Sequence, residues 1–141
     1  MFKKILVPVD LSEPDMTRLG IDAALELAGL SGGDVRLLNV QPLVPIAFSD
    51  YIPPNFDDEL RESTEKSLAD LLATIAYPRE KLGSALRFGA IYPEVLAEAT
   101  EWGADLIVIG SHRPSMATYL LGSNAKTIVR HARCSVLVVR G

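Results

Sequence analysis

Apolar residues fall along this chain in two kinds of segment. Short β-branched runs occur at Ile5-Leu6-Val7-Pro8-Val9, Val35-Arg36-Leu37-Leu38-Asn39-Val40, Leu106-Ile107-Val108-Ile109 and Val136-Leu137-Val138-Val139. Most are continuous rather than alternating, the pattern of strands covered on both faces, as in a parallel sheet. Residues 84–88 form a weaker run with Leu86 and Phe88 on one face, which suits a sheet edge.

Helical spacings lie between the runs. Met16, Leu19, Ala23 and Leu27 recur at three- and four-residue steps. Ser12 with Asp15 three residues on predicts an N-terminal cap, and Ser31-Gly32-Gly33 a stop. Leu60, Thr64, Leu68, Leu71, Leu72 and Ile75 make a second stripe, closed by Pro78. Val95, Leu96, Ala99 and Trp102 make a third, opened by Pro93, where a missing donor costs nothing. Ala125, Ile128, Val129 and Ala132 make a fourth, with Arg130, His131 and Arg133 placed to complement the helix dipole. Strands alternating with helices predict an open parallel sheet with right-handed crossovers. The linker 41–55 holds four prolines (42, 45, 53 and 54) and excludes a regular helix. It reads equally as a loop over a site or a surface excursion.

Composition narrows the class. A chain of 141 residues and 15.3 kDa predicts one domain, 1–141. A net charge of −4 argues against a protein built to bind nucleic acid through a basic face. The single cysteine, Cys134, excludes an internal disulfide and reads first as a small buried hydrophobe. No run approaches a membrane span, and the N-terminal apolar run is too short for a signal peptide; the expected location is the cytoplasm.

In open α/β sheets, ligands bind beyond the carboxyl ends of the strands. Those ends carry Asp10-Leu11-Ser12, Gln41-Pro42 and Gly110-Ser111-His112-Arg113-Pro114, followed by Gly122-Ser123-Asn124 before the last helical stripe. A Gly-Ser-Asn helix start offers free amides and a favourable dipole to a phosphate, with His112 and Arg113 as cationic donors nearby. On spacing alone the same Gly122-Ser123 reads first as a plain helix cap. Asp10 suits a turn before the first helix. Gly110 would let a ligand approach the backbone closely. His112 has no evident nucleophile or orienting partner, which argues against catalysis. Neither a P-loop nor a Gly-x-Gly-x-x-Gly fingerprint is present. Two histidines and one cysteine, without ligand spacing, make no structural metal site.

Residues 5–10, 37–40, 104–112, 119–125 and 128–140 together resemble the universal stress protein family over nearly the whole chain. Nucleotide-binding members of that family carry Gly-x-x-Gly, nine residues, then Gly-[Ser/Thr]. Gly110 and Gly122-Ser123 match, but Arg113 replaces the second glycine and only residues 114–121 separate it from Gly122. The Ser-His-Arg-Pro wording resembles the small single-domain bacterial branch. The resemblance implies a five-stranded parallel sheet of order 3-2-1-4-5 and an adenine nucleotide, ATP or AMP, between strands one and four, with Mg2+ carried by the phosphates. It implies Pro8, Val9 and Asp10 beside adenine and ribose, Val40 contacting adenine through its backbone, and Gly110, Ser111, His112, Arg113, Gly122, Ser123 and Asn124 around ribose and phosphates. In that strand order the run 136–139 lies at an edge, so pairing with a second copy into a homodimer, or a higher oligomer, is expected. The leading expectation is a nucleotide-binding stress protein acting through an unknown protein partner. A slow ATPase and a nucleotide-free interaction dimer are the alternatives.

Overall fold

A computed structural model describes residues 1–43, 54–111 and 120–141, with side chains from 124 onward in the last stretch. Five strands, β1 (Lys4–Pro8), β2 (Asp34–Gln41), β3 (Leu82–Phe88), β4 (Leu106–Ser111) and β5 (Ser135–Arg140), form one parallel sheet of order β3-β2-β1-β4-β5. The expected strand order and the edge position of β3 are both found. Four helices connect the strands: α1 (Pro14–Ser31), α2 (Phe56–Ala73), α3 (Ile91–Trp102) and α4 (Leu120–His131).

The central strands bury both faces, as their continuous apolar runs require. Ile5, Val7, Val35, Leu37 and Val108 pack with α1 and α2 on one side of the sheet. Leu6, Leu38, Ile107 and Ile109 pack with α3 and α4 on the other. These side chains are almost wholly withdrawn from water. At 25 cal/mol per Å2 of apolar area, each contributes about 1.5–3 kcal/mol, and this burial drives the fold.

Helix α1 departs from its predicted face. Its buried residues are Met16, Thr17, Gly20, Ile21, Ala24 and Ala28, while Leu19, Ala23 and Leu27 are only half-buried. The helix turns its small residues to the sheet so that its backbone can approach closely. A Cβ on Gly20 would stand 3.3 Å from the Gly110 amide, and one on Gly110 would stand 2.4 Å from the Met16 carbonyl oxygen. The predicted cap is also corrected. The helix begins after Glu13, without a side-chain cap. Ser12 bonds backward instead, donating from both its amide (2.9 Å) and its hydroxyl (2.6 Å) to Asp10 Oδ1. The stop is as expected: Gly32 takes φ 71 and its amide bonds to the Ala28 carbonyl.

Smaller differences have similar causes. α2 ends at Ala73, and the buried Ile75 lies beyond it. Pro93 is the third residue of α3, still within the first turn, where no amide has an intrahelical acceptor. Val129 of the fourth stripe is exposed. α4 already includes Leu120 and Leu121, so Gly122-Ser123 sits inside the first turn rather than ahead of it.

Trp102, at the end of α3, packs against two cations. The Arg36 guanidinium lies 4.5 Å and the Lys4 ammonium 5.5 Å from its ring centroid. Asp105 straps the start of β1 to the start of β4. Its Oδ2 accepts from the Lys3 amide at 2.8 Å and its Oδ1 from the Lys4 amide at 3.0 Å.

Candidate functional site

The site follows from where the strands stop pairing. β1 runs beside β2 for five residues, Lys4 to Pro8. It pairs with β4 only at Ile5 and Leu6. The two central strands therefore separate towards their carboxyl ends, at the point where strand order reverses, which is the ligand crevice of open α/β sheets. A cleft of about 860 Å3 lies at this end of the sheet. Its walls come from the end of β1 (Pro8, Val9 and the Asp10 turn), the end of β2 (Leu38 to Pro42), the β3–α3 junction (Gly89 to Tyr92, with Val95) and Asn124 of α4.

Five sequence-predicted residues meet here: Pro8, Val9, Asp10, Val40 and Asn124. Gly110 and Ser111 are not on the walls of this cleft. The space a side chain would need at Gly110 is taken by Met16 of α1, so helix packing accounts for that glycine. Gly122 and Ser123 lie in the first turn of α4. His112 and Arg113, like most of the 41–55 linker, fall outside the described residues.

Sequence reading missed two groups. The first is the β3–α3 junction, because a weak edge strand carries no ligand signal of its own at its carboxyl end. Gly89 takes φ 145, a conformation that side chains rarely adopt, and a Cβ there would meet Glu94 at 3.0 Å. Its amide donates to the Gln41 carbonyl at 2.9 Å, which turns the chain into α3 beside the cleft. Tyr92 stands on the rim, 41% exposed. The second is Asn39 and its link to Gln41, a residue the sequence already placed at a ligand-bearing strand end. A polar residue inside an apolar strand was the available signal.

Asn39 is buried, and its Nδ2 donates to the Val9 carbonyl at 3.0 Å. Gln41 Nε2 in turn donates to Asn39 Oδ1 at 2.6 Å. Strand geometry then orients Val40. The Leu38 carbonyl accepts from the Val9 amide on the β1 side, and the Gln41 carbonyl accepts from Gly89 on the β3 side. Backbone groups alternate along a strand, so the Val40 amide and carbonyl point to the β1 side, beyond the end of β1. The Val9 carbonyl that a continued ladder would offer Val40 is bonded by Asn39 instead.

Asp10 is fixed by its turn. Thr17 Oγ1 accepts from the Asp10 amide at 3.0 Å and donates to its carbonyl at 2.7 Å. The two bonds from Ser12 hold Oδ1. Asp10 is therefore a turn residue that also lines the cleft. Arg87 secures the α3 wall, reaching Glu94 at 2.9 Å, Glu98 at 3.3 Å and Glu101 at 2.9 Å. The bonds to Glu94 and Glu101 hold its guanidinium charged more firmly than usual. Arg36 reaches the same Glu98 at 3.2 Å. Far from the cleft, burial pushes the Cys134 thiol up, away from a reactive thiolate. Among the described residues no group of three or more His, Cys, Asp or Glu could hold a metal, and no helix is long and apolar enough to cross a membrane.

Comparison with known proteins agrees with this architecture. The model of the universal stress protein family matches residues 1–140. Universal stress protein G of Shigella flexneri is 34% identical over 143 aligned positions, covering 99% of this chain and 100% of that protein. Among solved structures, the hypothetical protein MJ0577 superposes with a TM-score of 0.79 at 24% identity, over 100% of this chain and 97% of its own. A universal stress protein family member of Arabidopsis thaliana with AMP bound gives 0.61 at 17% identity, over 98% and 91%.

Proposed function

This chain belongs to the universal stress protein family, and on that premise we propose that its cleft binds an adenine nucleotide, ATP or AMP. The observation that carries the reading is the end of β2. Val40 turns a main-chain donor and a main-chain acceptor past the end of β1, into a cleft of nucleotide size. A neighbouring donor and acceptor match the N1 and N6 edge of adenine. Pro8 and Val9 supply the apolar flank, and the outer oxygen of the Asp10 carboxylate is offered to a ribose hydroxyl. The AMP held by the similarly folded plant protein supports the same ligand class.

In this proposal the phosphates lie towards Gly110, Ser111, His112, Arg113, Gly122, Ser123 and Asn124, at the amino end of α4. Mg2+ would arrive with the phosphates, because Asp10 is the only acid on the described walls of the cleft. The protein is read as a binding module rather than an enzyme. The one hydroxyl–carboxylate pair on the described walls, Ser12 with Asp10 Oδ1 at 2.6 Å, also takes the Ser12 amide, so we read it as the turn into α1 rather than as an activated nucleophile. The bound state would act on a protein partner in a stress response.

Two measurements test this. Mass analysis of ligand extracted from freshly purified protein should find ATP or AMP. A hundredfold excess of nucleotide over its dissociation constant should add about 2.7 kcal/mol of stability. For a chain of this length that raises Tm by roughly 6–11 °C. No extracted nucleotide and no shift at millimolar ATP with Mg2+ would end the proposal.

A further inference from the structure

The side-chain relay at the end of β2 has a direction that chemistry fixes. The Val9 carbonyl can only accept, so Asn39 must present its amide nitrogen there. That leaves Asn39 Oδ1, again an acceptor, facing Gln41. Gln41 must therefore present Nε2 to Asn39, as it does at 2.6 Å. The one remaining polar atom of the Gln41 head is Oε1. Gln41 lines the cleft.

We propose that Gln41 is a specificity-determining residue, which offers Oε1 as a fixed acceptor to the exocyclic amine of adenine and disfavours purines with a carbonyl at that position. This rests on the nucleotide reading above and sharpens it. An exocyclic amine carries two N–H groups. The Val40 carbonyl is placed for one, and Gln41 Oε1 serves the second. In hypoxanthine the same position is a carbonyl, and two acceptors would face each other. A free glutamine would rotate its amide and accommodate either base. Gln41 cannot do so without opposing two oxygens at Asn39, and Asn39 cannot rotate without opposing the Val9 carbonyl. The buried end of the relay thus sets the polarity of its exposed end.

The test titrates AMP and IMP by calorimetry against the wild-type chain, Gln41→Leu and Gln41→Lys. The wild type is expected to prefer AMP. Gln41→Leu should weaken AMP by about 2–12-fold, the range of one net neutral hydrogen bond, with IMP unchanged or improved. Gln41→Lys presents a donor and should shift the preference towards IMP. A wild type that binds neither nucleotide overturns the proposed function and this inference together. Variants whose AMP-to-IMP ratio matches the wild type overturn the Gln41 assignment alone, and a wild type that binds both equally well overturns the Val40 reading of the adenine edge together with it. Circular dichroism and Tm confirm that each variant is folded, and the lysine variant gives an independent reading where the leucine variant is unstable.

Discussion

Replacing Gly110 with alanine tests whether helix packing, rather than ligand access, requires a glycine at the end of β4. The new Cβ would stand 2.4 Å from the Met16 carbonyl oxygen, 3.1 Å from Met16 Cγ and 3.3 Å from the Met16 carbonyl carbon. Two of those atoms are backbone, so rotating a side chain gives no relief. Reaching 3.0 Å means that α1 and β4 separate by about 0.6 Å. A gap of 0.5–1 Å forfeits about a quarter to a half of each dispersion contact across it. The loss reaches Thr17, Gly20 and Ile21, which share this face. Overpacking of this kind costs about 1–3 kcal/mol. Loss of glycine freedom in the unfolded chain returns about 0.4–1 kcal/mol of that. The net expectation is a loss of about 1–2 kcal/mol, a fall in Tm of roughly 3–10 °C. Gly29 supplies the control. It lies on the exposed side of α1, and a Cβ there meets nothing within 4 Å. Gly29→Ala should raise stability by about 0.5–1 kcal/mol. Urea unfolding of both variants, with the m-value held constant, provides the measurement. A Gly110→Ala protein as stable as the wild type would refute the packing argument. So would two variants that shift in the same direction.

Three further outcomes are expected. Asp105→Asn should cost about 1 kcal/mol near neutral pH, because a part-exposed carboxylate that accepts from the Lys3 and Lys4 amides loses one charged acceptor. Burial alone would raise the Asp105 pKa, but those backbone bonds and the N-terminal charge outweigh it and hold it below its ordinary value. A depressed carboxylate stabilises the fold above its unfolded pKa, so the wild type and variant should converge in denaturation series below about pH 4. Arg113→Ala should weaken ATP about fivefold more than adenosine, a difference that shrinks in high salt; equal losses for both ligands would remove Arg113 from the phosphates. Sedimentation at micromolar concentration should show a dimer paired through β5, and Val138→Lys should give monomer or aggregate; a 15 kDa wild-type species would rule the dimer out.

The element sequence was legible because parallel strands and helices leave different apolar periods, whereas the strand order came from the family resemblance and the turn at Asp10 from its place just past a strand. The face of α1 was not. Leu19, Ala23 and Leu27 look like the buried stripe, yet close approach to Gly110 selects Thr17, Gly20 and Ala24 by size. Sequence periodicity weighs hydrophobicity and cannot see that demand. Half of the cleft escaped for a related reason. Val40 was legible as a strand end, but nothing in the sequence says what Asn39, a polar residue in an apolar run, bonds; the Val9 carbonyl supplies the answer. Gly89 lay behind a strand too weak to attract attention. Gly110 was legible as a special position, with α1 as the neighbour that accounts for it.

The cationic stack on Trp102 gives this molecule its own optical reporter. The chain has one tryptophan. Its indole lies against Arg36 and Lys4 at the carboxyl end of α3, while Ile91 and Tyr92 at the amino end of the same helix wall the cleft. Twelve residues at 1.5 Å each put about 18 Å of helix between those two ends. A ligand in the cleft is therefore too far away to touch the indole. Indole emission responds to the distance and direction of nearby charges, so a small tilt of α3 relative to β1 and β2 would change its colour or intensity. A fluorescence change on adding nucleotide would thus report displacement of the whole helix, and constant emission alongside proven binding would mark α3 as a rigid wall.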